Sequence, residues 1–323
     1  LLMKNKKIIV TGGAGTIGIE LVRNLVKNKY DVTLFDLADQ INVSKSFIPP
    51  KAKIIEGSVL DKSILMKSIS SHDVVVHLAA SLGVKNTEEN SYRCYQINVR
   101  GTENILDICL QKKIKKILFA SSSEVYGEPD SNPIDENFPT KGKSCYAITK
   151  LMGETLVESY NKMDKNLKFV IMRFFNTYGI NQVAQFVLPR FIRAAQNNTN
   201  LTINGDGKQL RSYCSAKDIA IGIMLCINNT KINNQIINLG NDIEKVSINN
   251  LAKLVLSKIP SKSKIIYDKS FKKTDRIKSR EVYNRLGNFS KAKKILNYKP
   301  RVKLTNGLDD LIKNQIRENW PNL

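Results

Sequence analysis

The stretch Val10-Thr-Gly-Gly-Ala-Gly-Thr-Ile-Gly18 decides the fold, because it joins a short apolar run to residues 17–27, which are patterned as a helix. A strand, a glycine turn and a helix in this order form the binding site of a dinucleotide pyrophosphate. Gly12 permits the tight turn, Gly15 lets the phosphates approach the backbone, and Gly18 lets the helix pack on the strand. The helix N-terminus then offers unpaired N–H groups and a positive dipole end to the anion.

The next predicted strand supplies the acidic residue that completes the dinucleotide-binding pattern. Asp31-Val-Thr-Leu-Phe-Asp36 is typical of a second strand, and it ends in an acid about 20 residues beyond the glycines. A carboxylate at this point accepts hydrogen bonds from the adenosine ribose hydroxyls, whereas it would repel a 2′-phosphate. Asp36 therefore favours NAD as the cofactor.

The composition argues against several classes of protein. The chain has 323 residues, 42% of them hydrophobic, and no apolar run approaches the ~20 residues of a membrane span. The net charge of +22 comes from lysines spread along the whole chain, so we expect a solvated basic surface rather than a nucleic-acid partner. Two histidines are too few for a zinc site, and five cysteines without a Cys-x-x-Cys pair indicate reduced thiols in a cytoplasm.

Strand-like and helix-like patterns alternate through the first half of the chain. The predicted strands are Lys7 to Thr11, Asp31 to Asp36, Ala52 to Glu56, Val74 to Leu78, Ile114 to Ser121 and Phe169 to Phe174. Predicted helices lie between them, at about 17–28, 61–69, 91–111 and 144–163. This alternation predicts an α/β fold with a doubly wound parallel Rossmann sheet.

The pattern becomes irregular after Asn176, which predicts a division into two domains. We expect a NAD-binding domain over residues 1–176 and a smaller, mostly C-terminal substrate domain over residues 177–323. Some of the later segments are expected to return to the first domain.

Tyr146-Ala-Ile-Thr-Lys150 carries a candidate base in a predicted helix, where a four-residue spacing puts Tyr146 and Lys150 on one face. A phenol with a pKa of about 10 is a poor base at neutral pH. A lysine ammonium and a nicotinamide cation close by would stabilise the phenolate and lower that pKa. Tyr146 would then take a proton from a substrate hydroxyl while a hydride leaves the same carbon.

Phe119-Ala-Ser-Ser-Ser-Glu-Val-Tyr-Gly127 stands at the carboxyl end of a predicted buried strand, where ligands of open α/β sheets bind. A serine hydroxyl in this place can hydrogen-bond the reacting oxygen of a substrate. Glu124 has two interpretations: a strand-end carboxylate bonded to the backbone, or an acid or base whose pKa is raised beside the substrate.

These motifs resemble those of the extended short-chain dehydrogenases/reductases, the family of NAD-dependent nucleotide-sugar epimerases and dehydratases. The Gly-x-x-Gly-x-x-Gly spacing and a Tyr-x-x-x-Lys about 130 residues later match this family in type and position, and further matches extend over most of the chain. Anchored on Val125-Tyr-Gly127, the resemblance implies these catalytic residues: Ser122, Ser123, Glu124, Tyr146 and Lys150.

The resemblance also implies two binding sites. NAD would contact Gly12, Gly15, Thr16, Ile17, Gly18, Asp36, Ser58, Val59, Leu78, Ala79, Ala80, Asn98, Tyr146 and Lys150. A nucleotide-diphosphate sugar would contact Ser81, Glu124, Asn176, Arg211 and Arg276. Ser58 departs from the family, which usually has an Asp facing the adenine amino group, although a serine oxygen can accept the same bond.

The implied chemistry begins with NAD-dependent oxidation at C4 of the sugar. If the 4-keto sugar turns over and takes the hydride back on its other face, the result is 4-epimerisation, which we rank first because it needs no further group. A sugar with a C5 carboxylate becomes a β-keto acid and loses CO2, whereas removal of the C5 proton by Glu124 lets a C6 hydroxyl leave as water.

The pair Ser123-Glu124 resembles the decarboxylases and some 4,6-dehydratases of the family, and so favours those two outcomes. Net oxidation or reduction at C4 is a further alternative. More remote alternatives are a NAD-binding protein without catalysis and a nucleic-acid-binding protein.

Family members commonly dimerise through the helices that correspond here to residues 91–111 and 144–163. Both predicted helices carry apolar residues on more than one face, which permits a four-helix contact between two copies. We therefore expect a homodimer.

Overall fold

Parallel strands form the central sheet of the computed structural model, which describes residues 6–70, 72–183, 186–270 and 282–315 of the chain. The strands of this sheet are β1 (Lys7–Thr11), β2 (Asp31–Asp36), β3 (Lys53–Glu56), β4 (Val74–His77), β5 (Lys116–Ser122), β6 (Lys168–Phe174) and β11 (Gln235–Leu239). Their order is β3-β2-β1-β4-β5-β6-β11, and every neighbouring pair is parallel. The predicted doubly wound sheet is therefore confirmed.

Helices follow most of these strands and cover both faces of the sheet. They are α1 (Thr16–Lys27), α2 (Ala38–Ser44), α3 (Lys62–Ser68), α4 (Val84–Glu89), α5 (Ser91–Tyr95), α6 (Gly101–Gln111), α7 (Cys145–Met163), α8 (Val187–Gln196), α9 (Ala216–Asn228), α10 (Ile248–Lys258), α11 (Ser290–Leu296) and α12 (Leu304–Gln315). A membrane could not be crossed by any helix in the described ranges, because none combines the required length with sufficient apolarity.

Successive residues of each strand point to opposite faces, and in β1 both faces are apolar. Ile8 and Val10 join the hydrophobic cluster that contains Leu21 of α1 and Ile219 of α9. Ile9 joins the cluster of the opposite face, with residues of α3, α6 and α7. A parallel sheet buried on both sides requires such continuous apolar runs, which is why the strands were readable from the sequence.

The helix predicted over residues 91–111 is interrupted. Its backbone runs from α5 through a π-helical turn, Gln96–Arg100, into α6. At the end of this turn Gly101 packs directly on Val59, where a Cβ would lie 2.6 Å from the valine Cγ2. The wider turn is a local change of hydrogen-bond register that a hydrophobic pattern does not reveal.

Short strands missed by the sequence analysis form the region beyond β6. β7 (Thr177–Tyr178) pairs with β10 (Cys214–Ser215), β8 (Leu201–Asn204) pairs with β13 (Ile265–Asp268), and β9 (Leu210–Ser212) lies between β12 (Lys245–Ser247) and β14 (Asn284–Arg285). A separate hydrophobic cluster packs residues of β7, β8, β12 and β13 with α8, α10 and α12. β11 joins the central sheet and α9 packs on α1, so the division at residue 176 stays a proposal.

We expect Gly18→Ala to destabilise the protein. A Cβ at Gly18 would collide with the Gly12 carbonyl oxygen and lie 2.7 Å from the Gly13 backbone, so the backbone must shift. Overpacking of this kind costs about 1–3 kcal/mol, which thermal unfolding without added ligand would measure. Gly15→Ala is the matched control, because a Cβ there meets the Gly12 oxygen at 3.4 Å. Equal destabilisation by both substitutions would contradict the packing argument.

Candidate active site

The glycine turn between β1 and α1 has the shape of an anion cradle. Gly12 has a φ of +70°, which favours glycine, and a Cβ there would lie 2.6 Å from the backbone nitrogen of Ala79. Gly15 is the N-cap of α1, and the nearest described atom to a Cβ built on it is the Gly12 oxygen. Thr16, Ile17 and Gly18 form the first turn, whose N–H groups have no partner inside the helix. This cradle fits a dinucleotide pyrophosphate.

Asp36 ends β2 beside this cradle and is fixed by two backbone N–H groups. Its Oδ2 accepts from Ala14 at 2.9 Å and its Oδ1 accepts from Leu37 at 2.8 Å. A carboxylate has about four lone-pair positions, so both oxygens keep capacity for ribose hydroxyls. Burial raises the pKa of Asp36 to about 6, although the two backbone hydrogen bonds act to lower it.

The other predicted NAD contacts follow neighbouring strands at the same edge of the sheet. Ser58 and Val59 come after β3, and Leu78, Ala79 and Ala80 come after β4. The Leu78 N–H donates to the Thr11 carbonyl at 2.9 Å, and the Ser58 Oγ accepts from the Leu60 N–H at 3.2 Å. Because carboxyl ends of parallel strands share one edge, these residues line one crevice with Asp36.

Asn98 acts on this crevice through Ser81. The Asn98 Oδ1 accepts from the Ser81 N–H at 2.7 Å, and its Nδ2 donates to the Ser81 carbonyl at 3.0 Å and to the Thr149 Oγ1 at 3.0 Å. These bonds use both ends of the buried amide. We therefore interpret Asn98 as a residue that positions the segment after β4, instead of the direct NAD contact that the sequence suggested.

His77 of β4 is buried, and both of its ring nitrogens lie within hydrogen-bond distance of a threonine hydroxyl. Its Nε2 lies 3.1 Å from the Thr102 Oγ1, and that hydroxyl donates to the Asn98 carbonyl at 2.6 Å. Thr102 must therefore accept from a protonated Nε2, which leaves Nδ1 to accept from the Thr11 hydroxyl at 2.7 Å. Burial lowers the pKa of His77 to about 3, so the ring is neutral and structural.

Ser122, Tyr146 and Lys150 come together at the carboxyl end of β5. Tyr146 stands in the first turn of α7, near enough to the Ser122 hydroxyl for that hydroxyl to lower the pKa of the phenol. Lys150 follows one turn later, its Nζ 5.8 Å from the Tyr146 ring centre. This ammonium is buried and donates to the Ala120 carbonyl at 2.8 Å. The hydroxyl, phenol and ammonium expected from the sequence therefore share one site.

The protein's own groups raise the pKa of Tyr146, so the lower value predicted with a nicotinamide cation beside the phenol depends on the cofactor. Burial is the main cause, the Glu124 carboxylate adds to it, and the Ser122 hydroxyl and Arg285 oppose it. Burial lowers the pKa of Lys150 to about 8, with Cys94 and Glu154 acting in the opposite direction. A cationic nicotinamide beside the phenol would lower the tyrosine pKa, because a nearby positive charge stabilises the phenolate.

Glu124 forms an ion pair that the sequence analysis missed. The Arg285 Nη2 lies 2.6 Å from the Glu124 Oε1, and the arginine side chain is 4% exposed against 25% for the glutamate. Arg285 lies in β14, next to Arg211 of β9. Its buried Nε has no hydrogen-bond partner among the described atoms. The two partners are 161 residues apart, so tertiary contacts such as the pairing of β14 with β9 bring the guanidinium to the site.

A second buried ion pair, between Arg173 and Glu154, links the elements that carry the site. Arg173 donates to both Glu154 oxygens, at 2.7 and 2.9 Å, and to the Tyr126 hydroxyl at 3.0 Å. Glu154 also accepts from the Ser121 hydroxyl and lies one turn beyond Lys150 on α7. The pair thus ties β6, α7 and the segment after β5 together, and a buried pair of this kind is costly to break.

The remaining predicted residues differ in their surroundings. Asn176 has a φ of +23°, and its buried Nδ2 has no partner among the described atoms, which is the state expected of a ligand contact. Ser81 follows β4 at the mouth of the crevice, whereas Ser123 is buried beneath it. Arg211 is buried, and its guanidinium donates to the carbonyl oxygens of Leu210, Val282 and Tyr283. Arg276 lies outside the described residues.

We expect NAD affinity to fall as the pH drops below about 6, because protonation of Asp36 removes the negative acceptor of the ribose hydroxyls. Uptake of one proton weakens binding by up to about tenfold per pH unit below that value. Titration calorimetry with NAD between about pH 5 and pH 8 would measure this change. The control is Asp36→Asn, which should bind more weakly and lose the pH dependence; an unchanged profile in this variant would refute the assignment.

Known proteins share this arrangement. The family model described as the NAD dependent epimerase/dehydratase family matches residues 8–240. The chain is 37% identical to the UDP-N-acetyl-alpha-D-glucosaminuronate decarboxylase of Bacillus cytotoxicus, over 95% of this chain and 97% of the relative.

Two solved structures have the same fold along nearly their whole length. The UDP-glucuronic acid 4-epimerase of Bacillus cereus, in complex with UDP-glucuronic acid and NAD, has a TM-score of 0.86 and 29% identity and covers 95% of this chain and 98% of its own. The UDP-glucose 4-epimerase of Thermotoga maritima has a TM-score of 0.85 and 26% identity, with 96% and 99% covered. NAD is the cofactor that both the family match and the cradle support. The chain belongs to the NAD-dependent epimerase/dehydratase family.

Proposed function

We propose that the protein binds a nucleotide-diphosphate sugar, oxidises its C4 hydroxyl with bound NAD and returns the hydrogen to the opposite face, a 4-epimerisation. The observation that carries this proposal is the placement of Ser122, Tyr146 and Lys150 together at the carboxyl end of β5, with the buried Lys150 Nζ 5.8 Å from the centre of the phenol ring. The names of relatives support UDP sugars as the first substrates to test.

Tyr146 accepts the proton of the 4-hydroxyl when oxidation begins. Ser122 hydrogen-bonds the same substrate oxygen, so the oxygen is held while its charge changes. Lys150 lies behind the tyrosine and contributes a positive charge that favours the phenolate. When bound, NAD supplies the hydride acceptor and later the hydride donor. Tyr146 then returns its proton to the 4-oxygen, so no further acid is needed.

Asn176 is the proposed contact for the diphosphate, because its buried amide N–H groups have no partner among the described residues. Amide and guanidinium donors suit phosphate oxygens, and Arg211 lies in β9. The carbonyl contacts of Arg211 limit how many of its donors reach a ligand, so we assign it a supporting role.

Decarboxylation is a second candidate, and the Glu124–Arg285 pair favours it. A guanidinium close to the reacting tyrosine would attract a sugar carboxylate at C5. Oxidation at C4 makes such a sugar a β-keto acid, which loses CO2 to leave an enol across C4 and C5. Protonation at C5 and return of the hydride to C4 complete this reaction. A relative that is 37% identical is named as a decarboxylase of this substrate class.

We expect the purified protein to convert a nucleotide sugar without added cofactor. A panel of UDP and dTDP sugars, hexoses and uronic acids, analysed by anion exchange and mass spectrometry, would identify the product. A product of unchanged mass supports epimerisation, and loss of CO2 moves the assignment to decarboxylation. Loss of water supports dehydration, and turnover only with free NAD supports a net dehydrogenase.

Tyr146→Phe should lower turnover at least about a hundredfold, because a positioned general base typically contributes that much. Tyr160→Phe is the matched control on the same helix, since its hydroxyl bonds Asp107 away from the site. A Tyr146→Phe variant as active as Tyr160→Phe would overturn the proposed mechanism.

We also propose a homodimer, formed by α5 and α7. These packed helices expose Tyr92, Tyr95, Ile148 and Met152, although large apolar side chains are usually buried. The two tyrosine rings stack at 6.4 Å, and the other two residues are one turn apart on α7. Together they form a continuous apolar face that a second copy would cover.

Ile148→Glu should convert the dimer to a monomer, because a charge in an apolar interface is desolvated without a partner. Light scattering after size exclusion would measure the mass against the 36.4 kDa of one chain. Ile243→Glu, at an exposed position outside this face, should leave the dimer intact. A wild-type mass of one chain would refute the proposal.

A further inference from the structure

A connector, defined here as residues 176–182, runs from the end of β6 past the glycine turn. We propose that Asn181 of this connector and Ser44 of α2 are positioning residues: they hold the glycine turn in its NAD-binding shape and transmit nucleotide-sugar binding to it. The coupling half of this inference rests on the proposed function, because it requires a nucleotide at Asn176.

A continuous chain of hydrogen bonds joins the connector to the turn. The Asn181 Nδ2 donates to the Ser44 Oγ at 2.8 Å, and that hydroxyl donates to the Ala14 carbonyl at 2.6 Å. The Ala14 N–H, on the other side of the residue, donates to the Asp36 Oδ2 at 2.9 Å. Ala14, Ser44 and Asn181 are all buried, so water does not compete for these hydrogen bonds.

The position of Ala14 makes this chain relevant to NAD. Ala14 stands between Gly13 and Gly15, in the middle of the cradle, and its carbonyl also accepts from the Gln40 Nε2 at 3.2 Å. Fixing this peptide fixes the direction of the neighbouring N–H groups that would face a pyrophosphate. Ser44 and Asn181 therefore act through Ala14 rather than on NAD itself.

A second contact presses the connector on the same turn. A Cβ at Gly179 would lie 3.0 Å from the Thr16 Cγ2 and 2.8 Å from the Ala216 Cβ, so glycine is needed for this close approach. Ile180 is buried in the same hydrophobic cluster against which Ile17 packs. The connector thus touches the first turn of α1 as well as the bonded chain through Ser44.

The opposite end of the connector faces the substrate side. Asn176 has a buried amide nitrogen without a partner in the described part of the chain, and its carbonyl accepts from the Cys214 N–H at 3.1 Å. Thr177 and Tyr178 pair with β10 and hold the middle of the connector in place. A ligand bound at Asn176 restrains this end, and the short, packed backbone carries the restraint to Asn181.

Linkage makes the expected effect reciprocal: a nucleotide that orders the connector strengthens NAD binding, and NAD strengthens nucleotide binding by the same factor. The experiment measures NAD affinity by titration calorimetry, without and with saturating UDP. The proteins compared are the wild type, Ser44→Ala, Asn181→Gly and the double variant. Glycine is chosen at position 181 because the residue has a φ of +56°, which glycine adopts without strain.

Each single variant should bind NAD about tenfold more weakly, because a buried acceptor or donor loses its partner. The double variant should be no weaker than the single ones, since both substitutions break the same chain. UDP should strengthen NAD binding in the wild type and lose that effect in the variants.

Asn161→Ala is the matched control, because this buried asparagine donates one hydrogen bond, at 2.9 Å to the Leu167 carbonyl, at the far end of α7. Single variants that bind NAD as tightly as this control, or whose effects simply add, would overturn the positioning role. Persistent coupling with UDP in the variants would overturn the transmission. Failure of UDP to bind the wild type would count against the proposed substrate class, and the NAD titrations would still decide the positioning role.

Discussion

Close approach of backbone to backbone at the glycine turn is the constraint on which the rest of the structure depends. Gly12 leaves room for the peptide of Ala79 after β4, and Gly18 lets α1 lie directly on the turn. A larger side chain at Gly12 or Gly18 would push the N-terminus of α1 away from the strand ends. The crevice between β1 and β4 would then no longer be closed by this helix. The same closeness brings Asp36 within reach of the Ala14 N–H, so packing and cofactor recognition are one geometric requirement.

Buried charges lie near Tyr146, the proposed base, and their pairing explains how the fold tolerates them. Arg173 and Glu154 form a bidentate pair, and Arg285 meets Glu124 closer to the substrate side. Desolvation of an unpaired ion would cost several kcal/mol, whereas paired ions with further hydrogen bonds recover most of it. Lys150 is placed differently, because its nearest acceptor is a carbonyl and burial lowers its pKa. Binding of a cationic cofactor would therefore change the electrostatic field at the Tyr146 phenol strongly.

The sequence predicted the fold wherever a short stretch has an apolar pattern that is typical of one secondary structure. Continuous apolar runs predicted β1 and β2 with correct ends, because a parallel sheet buries both faces of its strands. The π-helical turn around Asn98 was not predictable, since it changes hydrogen-bond register without changing the apolar pattern. The strands β7 to β10 and β12 to β14 have two to four residues each, too few to show a period, and tertiary pairing defines them.

The sequence by itself determined the Rossmann sheet and the cofactor cradle, because strand, glycine turn and helix follow one another at short, fixed spacings. The trio Ser122, Tyr146 and Lys150 was predicted from the family resemblance. Only the tertiary structure decided that Arg285 meets Glu124 and that Asn181 reaches Ala14 through Ser44. It also showed that burial and the Glu124 carboxylate raise the pKa of Tyr146 when no cofactor is bound, which the local spacing of residues does not reveal. Contacts across more than a hundred residues depend on how strands and loops pack, and no periodicity in a single chain encodes that.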